Sequence, residues 1–252
     1  MPDRRKHRGS HPDDTQLFAP DYLDALRTAV AEYSWLLTRA YAPESALKLV
    51  GDRYALTVRQ RTGVRRSACS DQMLTRRRRS RIGLDECRGK AIGIDGYNLL
   101  ITIESALSGG LIIIGRDGCY RDLASVHGTY RKVEETVPAV ELIADHLAAH
   151  DVSRVDWYLD RPVSNSGRVK VLMAEVLEDR ASARPSTTQW NIELVTSPDR
   201  VLMDFDGPIV SSDSVILDRG GAWVNLATEI VDAHISSAWT IDLRDSAFSE
   251  IV

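Results

Sequence analysis

In the first third of the chain, apolar residues recur every three or four positions. After Pro20, in DYLDALRTAVAEYSWLLTRAYA, residues Leu23, Leu26, Val30, Tyr33 and Leu37 fall on one stripe. That spacing predicts an amphipathic helix with one buried face, and Asp21 is its expected N-cap. A second helix is expected after Pro43, through SALKLVGDRY, and a third from about Thr57 to Ser67. Three short helices joined by tight turns predict a small all-helical domain over residues 19–75. Upstream, residues 1–18 hold Pro, Gly, Ser and His without periodicity, and a flexible basic arm is expected there.

From about Lys90 the period changes. Short β-type runs, AIGID (91–95), LIIIG (111–115), VDWYLD (155–160), NIELVTS (191–197) and PIVSSD (208–213), alternate with helical stretches. The helical stretches are TVPAVELIADHLAAH, GRVKVLMAEVLEDRA and WVNLATEIVDAHI, and WTIDL reads as a last strand. Such alternation predicts an α/β domain over residues 90–252, a largely parallel sheet with helices on both faces. Ligands of such sheets bind outside the carboxyl ends of the strands.

Charge divides the chain at the same place. The net charge is −4, but residues 1–90 hold 19 Lys+Arg against 11 Asp+Glu, and the remainder 13 against 25. A basic front half suits a polyanion, and an acidic back half suits a divalent cation. The two halves could also simply dock on each other. TRRRRSRIGLDECRGK, with Arg76 to Arg79 consecutive, is expected to form a basic linker over residues 76–89. It is either solvated or a track for a nucleic-acid backbone. No apolar run reaches the roughly 18 residues a membrane span needs. The basic first residues lead into no apolar signal core. Cys69, Cys87 and Cys119 form no CxxC pair and no zinc set, as in a reducing compartment. A cytoplasmic protein is expected.

Asp95, Asp160 and Asp213 each close a predicted strand, so a parallel sheet would carry all three to one edge. Converging carboxylates raise each other's pKa unless a cation neutralises them. Oxygen-only ligands suit Mg2+ or Mn2+, which can activate a water and stabilise charge on a phosphate. The competing reading of any one of these aspartates is a helix N-cap. Asn98 can orient the Asp95 carboxylate, and Gly96 allows a sharp turn. Asp206 is a further candidate ligand, with Glu104 and Glu134 weaker ones. Ser164 and Asn165 lead into a helix N-terminus, a candidate anion site, and Ser212 flanks Asp213. In GRDGCYRDLASVHGTYRKVEE, the cations Arg116, Arg121, Arg131 and Lys132 could grip phosphates, and Tyr130 could stack on a base. His127 is read as structural ahead of a general base. VLMDFDG is similar to the opening motif of haloacid-dehalogenase phosphatases, with Asp204 and Asp206 in the acidic roles. Only 46 residues follow Asp206 and none is lysine, so that reading is set aside.

IDGYN, DRPVSNSG and SSDSVILDR together resemble the PIN-like and NYN nucleases. From about Arg8, FAPDYLDALRTAVAEYSWLLTRAYAPESALKLVGDRYALTVRQR and GRDGCYRDLASVHGTYRKVEET resemble the prokaryotic family called domain of unknown function 434, with a PIN-like second half. The resemblance implies a PIN-like α/β domain with Asp95, Asn98, Asp160 and Asp213 at a metal site, and hydrolysis of RNA phosphodiester bonds. The acid that PIN nucleases often carry in a middle helix has no assured counterpart among Glu134, Glu135 and Glu141. The expected partner is RNA, with DNA as the other polyanion, met through the basic N-terminal half and linker; no membrane partner is expected, and a homodimer is left open. The alternative function is a catalytically inactive PIN-like protein that binds nucleic acid or regulates.

Overall fold

The computed structural model describes residues 6–124, 130–183 and 186–244. One helical turn, α1 (Asp14–Leu17), precedes the long helix α2 (Pro20–Thr38). Pro20 takes the first helical position of α2 and Ala19 the cap. Proline suits that position because it has no N–H to leave unpaired. Asp21 therefore sits in the first turn and does not cap it, where its charge still complements the helix dipole. The stripe packs as expected: Leu26, Val30 and Tyr33 are buried, with Leu23 and Leu37 partly so. Then come α3 (Pro43–Arg53), α4 (Val58–Ser67) and α5 (Asp71–Ser80). Thr57 and Gln60 close a reciprocal capping box at the start of α4. Ser70 caps α5.

Two segments differ from expectation. Residues 6–18 dock on the body and do not form a free arm. Asp14 is fully buried against Arg59, Phe18 is buried, and the Arg8 guanidinium reaches Glu104 at 2.8 Å. A buried carboxylate is tolerated only when it is paired, and each arm charge named here finds a partner. The arginine run is largely helix, since α5 extends through Ser80. Arg77 is only 2% exposed and pairs with Asp117 and Asp218, whereas Arg76, Arg78 and Arg79 face outward. A short 3-10 turn, Leu84–Cys87, completes the crossing with Leu84 and Cys87 buried.

The remaining elements are β1 (Ala91–Asp95), α6 (Gly96–Leu107), β2 (Leu111–Ile114), β3 (Tyr120–Asp122), α7 (Thr136–Ala149), β4 (Arg154–Asp160) and α8 (Ser166–Ala183). They are followed by β5 (Gln189–Val195), α9 (Pro198–Met203), β6 (Ile209–Val210), α10 (Ser214–Arg219), β7 (Trp223–Val224), α11 (Leu226–His234) and β8 (Trp239–Asp242). Five strands form a parallel sheet in the order β5-β4-β1-β6-β7. From β1 the chain builds outward through β4 to β5, then returns to the other side of β1 for β6 and β7. The sheet therefore changes direction beside β1, and a crevice opens there at the carboxyl ends. The fold is mixed α/β, with helices at the N-terminus and a mostly parallel five-stranded sheet.

LIIIG was expected in the main sheet but lies in a separate one, ordered β3-β2-β8, with β2 parallel to β8 and antiparallel to β3. Alternation along β2 explains its place. Leu111 and Ile113 pack with Phe18, Leu26, Val30 and Val64, while Ile112 joins the main core with Ile103 and Ile230. One strand thus serves two cores, and the N-terminal helices complete theirs on the second sheet. The late helix begins at Leu226 and not at Trp223, because Trp223 and Val224 extend the main sheet as β7.

Candidate functional site

Asp95 ends β1, and α6 starts at the very next residue, so strand passes to helix without a linker. Gly96 makes that passage possible by close approach. A Cβ there would lie 2.5 Å from Leu159 Cδ2 and 2.8 Å from the Tyr158 carbonyl oxygen. Asp95 accepts a hydrogen bond from Ser211 Oγ at 2.8 Å, and Ser211 Oγ accepts one from the Asp213 N–H at 2.9 Å. Asn98 Oδ1 accepts both the N–H and the hydroxyl of Ser212 at 2.9 Å. Asn98 therefore holds the loop after β6, where it had been expected to orient the Asp95 carboxylate. Arg121 holds the same loop from the other side, its Nε donating to the Ser212 carbonyl at 2.8 Å.

A cavity of about 630 Å3 opens at this edge, lined by Asp95, Asp160, Asp199 and Asp213. Tyr97, Asn98, Asp122 and Ser212 complete its polar lining, together with Arg65 and Arg66 from α4 and Arg121 from β3. Burial pushes the Asp95 carboxyl up to about 7, Ser211 works against that, and the charges of Asp213, Asp199 and Asp160 add to it. Asp160 is raised by burial and then by Asp199; Asp199 is raised by burial and then by Asp213. These four side chains feel one another across a shared space. Asp213 is also the N-cap of α10, accepting the Val215 N–H at 2.7 Å, so the capping reading holds for it as well.

Among the described residues, no group of three or more His, Cys, Asp or Glu is close enough to hold an ion by itself. The donor set nevertheless fits a hard cation. All four acids offer oxygen, no histidine or cysteine lines the cavity, and mutual repulsion already costs Asp95 its charge near neutrality. Mg2+ is ordinarily held by one or two carboxylates, waters and substrate phosphates, and does not need a closed protein cage.

Several other expected residues lie elsewhere. Asp206 precedes β6, at the amino ends of the parallel strands, and is exposed on the edge opposite the cavity. Arg116 is buried, donating to the Cys69 carbonyl and pairing with Asp71. Arg121 lines the cavity, but its charge is met by both oxygens of buried Asp117, as a buried guanidinium requires. Tyr130 is fully buried with its hydroxyl on Glu104, so it presents no ring face to a base. Glu104 is itself buried against Arg8, Tyr130 and Thr136. Ser164 and Asn165 brace Tyr130, accepting its N–H and donating to its carbonyl respectively. Arg131 and Lys132 are exposed and do not line the cavity. Glu134 is exposed, and Glu135 bonds His7. His127 falls outside the described residues.

Sequence reasoning missed Asp199, Tyr97, Arg65, Arg66 and Asp122. Asp199 had a readable signal: SPDR directly follows a strand run, with Ser197 as the N-cap of α9 and Pro198 in its first turn. The strand was taken to end at Ser197, so its next acid went unweighed. The arginines of α4 had none, because their position depends on how the helices meet the sheets.

Similarity to other proteins follows the same division of the chain. The model of the family described as "Protein of unknown function (DUF434)" matches residues 25–80, a shorter stretch than the resemblance had suggested. An uncharacterized protein of Methanocaldococcus jannaschii is 29% identical over 193 residues, covering 77% of this chain and 89% of that relative. No solved structure matches. Among the described residues no helix is long and apolar enough to cross a membrane. The match over residues 84–229, which contains all four cavity aspartates, places the chain in the family described as "Domain of unknown function (DUF5616)".

Proposed function

We propose that the acidic cavity is the active site of a PIN-like, metal-dependent ribonuclease that hydrolyses RNA phosphodiester bonds. One observation carries this reading. Four aspartates from separate elements line one cavity at the carboxyl ends of a parallel sheet, and three of them raise the fourth to about 7. Asp95, Asp160 and Asp213 would hold Mg2+ or Mn2+, and Asp199 stands where a fourth acid can hold a water by its hydrogen bonds. A bound divalent cation supplies an acidified water and charge stabilisation on the phosphate. Ser211 fixes one oxygen of Asp95 and leaves its other to the cation. Asn98 and Arg121 keep the Asp213 loop in register with β1. Arg65 and Arg66 face the acids with the positive charge an RNA phosphate needs in order to approach.

Calorimetric titration with Mn2+ tests the reading. The wild-type chain is expected to bind at pH 8 and more weakly near pH 6, where Asp95 retains its proton. Asp95→Asn is expected to abolish or sharply weaken the binding. A wild-type chain that takes up no Mn2+ at pH 8 would remove the basis for the proposal. Mn2+ binding without RNA cleavage would instead favour the inactive, nucleic-acid-binding alternative.

A further inference from the structure

Tyr97 is 6% exposed and lines the acidic cavity, yet its hydroxyl is buried and makes no hydrogen bond. Most buried hydroxyls are satisfied, and one left bare costs free energy that the fold must supply elsewhere. The ring itself is well seated, with Tyr130 at 5.0 Å between centroids. Its neighbour across the cavity is Asp160, whose charge acts on the phenol without bonding it. An unbonded donor in a cavity of carboxylates suits an incoming oxygen acceptor. Opposite in charge stand Arg65, exposed on α4, and Arg66, which the Asp122 and Ala124 carbonyls hold by its guanidinium. Helix α4 lies within the segment matched at residues 25–80, outside the α/β domain that carries the acids.

We infer that Tyr97 and Arg65 form a phosphate clamp for single-stranded RNA, the Tyr97 hydroxyl donating to a phosphodiester oxygen and Arg65 balancing its charge. The site is then built by both halves of the chain: acids from the sheet edge and the phosphate-binding cation from the N-terminal helices. This rests on the ribonuclease reading and adds to it the groups that seat the substrate.

The test uses the full chain and fluorescein-labelled oligouridylate, followed by anisotropy in Ca2+ so that binding is read without turnover. Tyr97→Phe removes only the hydroxyl. Because that hydroxyl has no partner in the free protein, the variant is expected to match or exceed wild type in thermal stability. Its affinity for the oligonucleotide is expected to fall on the order of tenfold, the worth of one hydrogen bond to a charged acceptor. Arg65→Gln is expected to reduce the slope of log K against log salt by about one, as for a single lost phosphate contact. Unchanged affinity in Tyr97→Phe, or a loss of stability showing that the hydroxyl serves the fold, would overturn the clamp. If wild type cleaves RNA and both variants bind as wild type does, the clamp fails and the nuclease reading stands. If wild type binds the oligonucleotide and the variants weaken it but no cleavage occurs, the clamp stands alone. If wild type binds neither Mn2+ nor the oligonucleotide, both fail together.

Discussion

Replacing Asp95 by asparagine should make the protein more stable, and only above a certain pH. In the folded chain the Asp95 carboxyl is raised to about 7 from an ordinary 3.8, chiefly by burial and then by its acidic neighbours. The folded state therefore holds a proton that the unfolded state releases. Between about pH 4 and pH 7 the unfolded state binds fewer protons, so wild-type stability falls as pH rises through that window. A gap of about 3 units at about 1.4 kcal/mol each sets a ceiling of roughly 4 kcal/mol on the cost of ionising Asp95. Asparagine is the same size, keeps an acceptor for Ser211 Oγ and never ionises. Urea unfolding in EDTA should show Asp95→Asn close to wild type near pH 4.5 and more stable by about 2–4 kcal/mol at pH 8. Adding Mn2+ at pH 8 should then stabilise wild type and leave the variant unchanged. Parallel pH profiles for the two proteins would refute the placement of Asp95 in a shared acidic cavity.

Arg77→Met would leave Asp117 with one guanidinium in place of two in a site that excludes water; urea unfolding should report a loss of about 3–5 kcal/mol. Gly96→Ala drives a methyl group into the Tyr158 carbonyl and Leu159, and should cost about 1–3 kcal/mol by the same assay while weakening Mn2+ binding through displacement of Asp95. Ser211→Ala removes the hydrogen bond that favours ionised Asp95. The pH at half-maximal Mn2+ binding, followed by titration, should move upward; a downward shift would contradict that role.

Much of the fold was legible because its signals are local. The stripe of α2, the capping residues Thr57 and Gln60 of α4, and the apolar runs of β1, β4 and β5 each stand within one stretch of sequence. The placement of β2 was not legible. Its alternation is the same whether it lies in the main sheet or between two cores, and β8, its partner, is more than a hundred residues away. The acidic edge was readable because a parallel sheet forces strand-ending residues together, which brought Asp95, Asp160 and Asp213 to one cavity. Assigning the cations failed for a physical reason. Arg116 and Arg121 look like surface phosphate ligands in sequence, but they are buried with Asp71 and Asp117 for partners. The arginines that do line the cavity with unburied charge come from a helix folded against a different sheet.

Incubating the full chain with end-labelled random-sequence single-stranded RNA tests metal-dependent hydrolysis most directly. With Mn2+ or Mg2+ present, the wild-type chain should cut the RNA without forming a 2′,3′-cyclic phosphate, because water and not the ribose hydroxyl attacks phosphorus. EDTA and Asp95→Asn should each abolish the cutting. RNA left intact in both metals, or cut equally well in EDTA or by Asp95→Asn, would contradict the assignment of the aspartate cavity as a metal-dependent ribonuclease site.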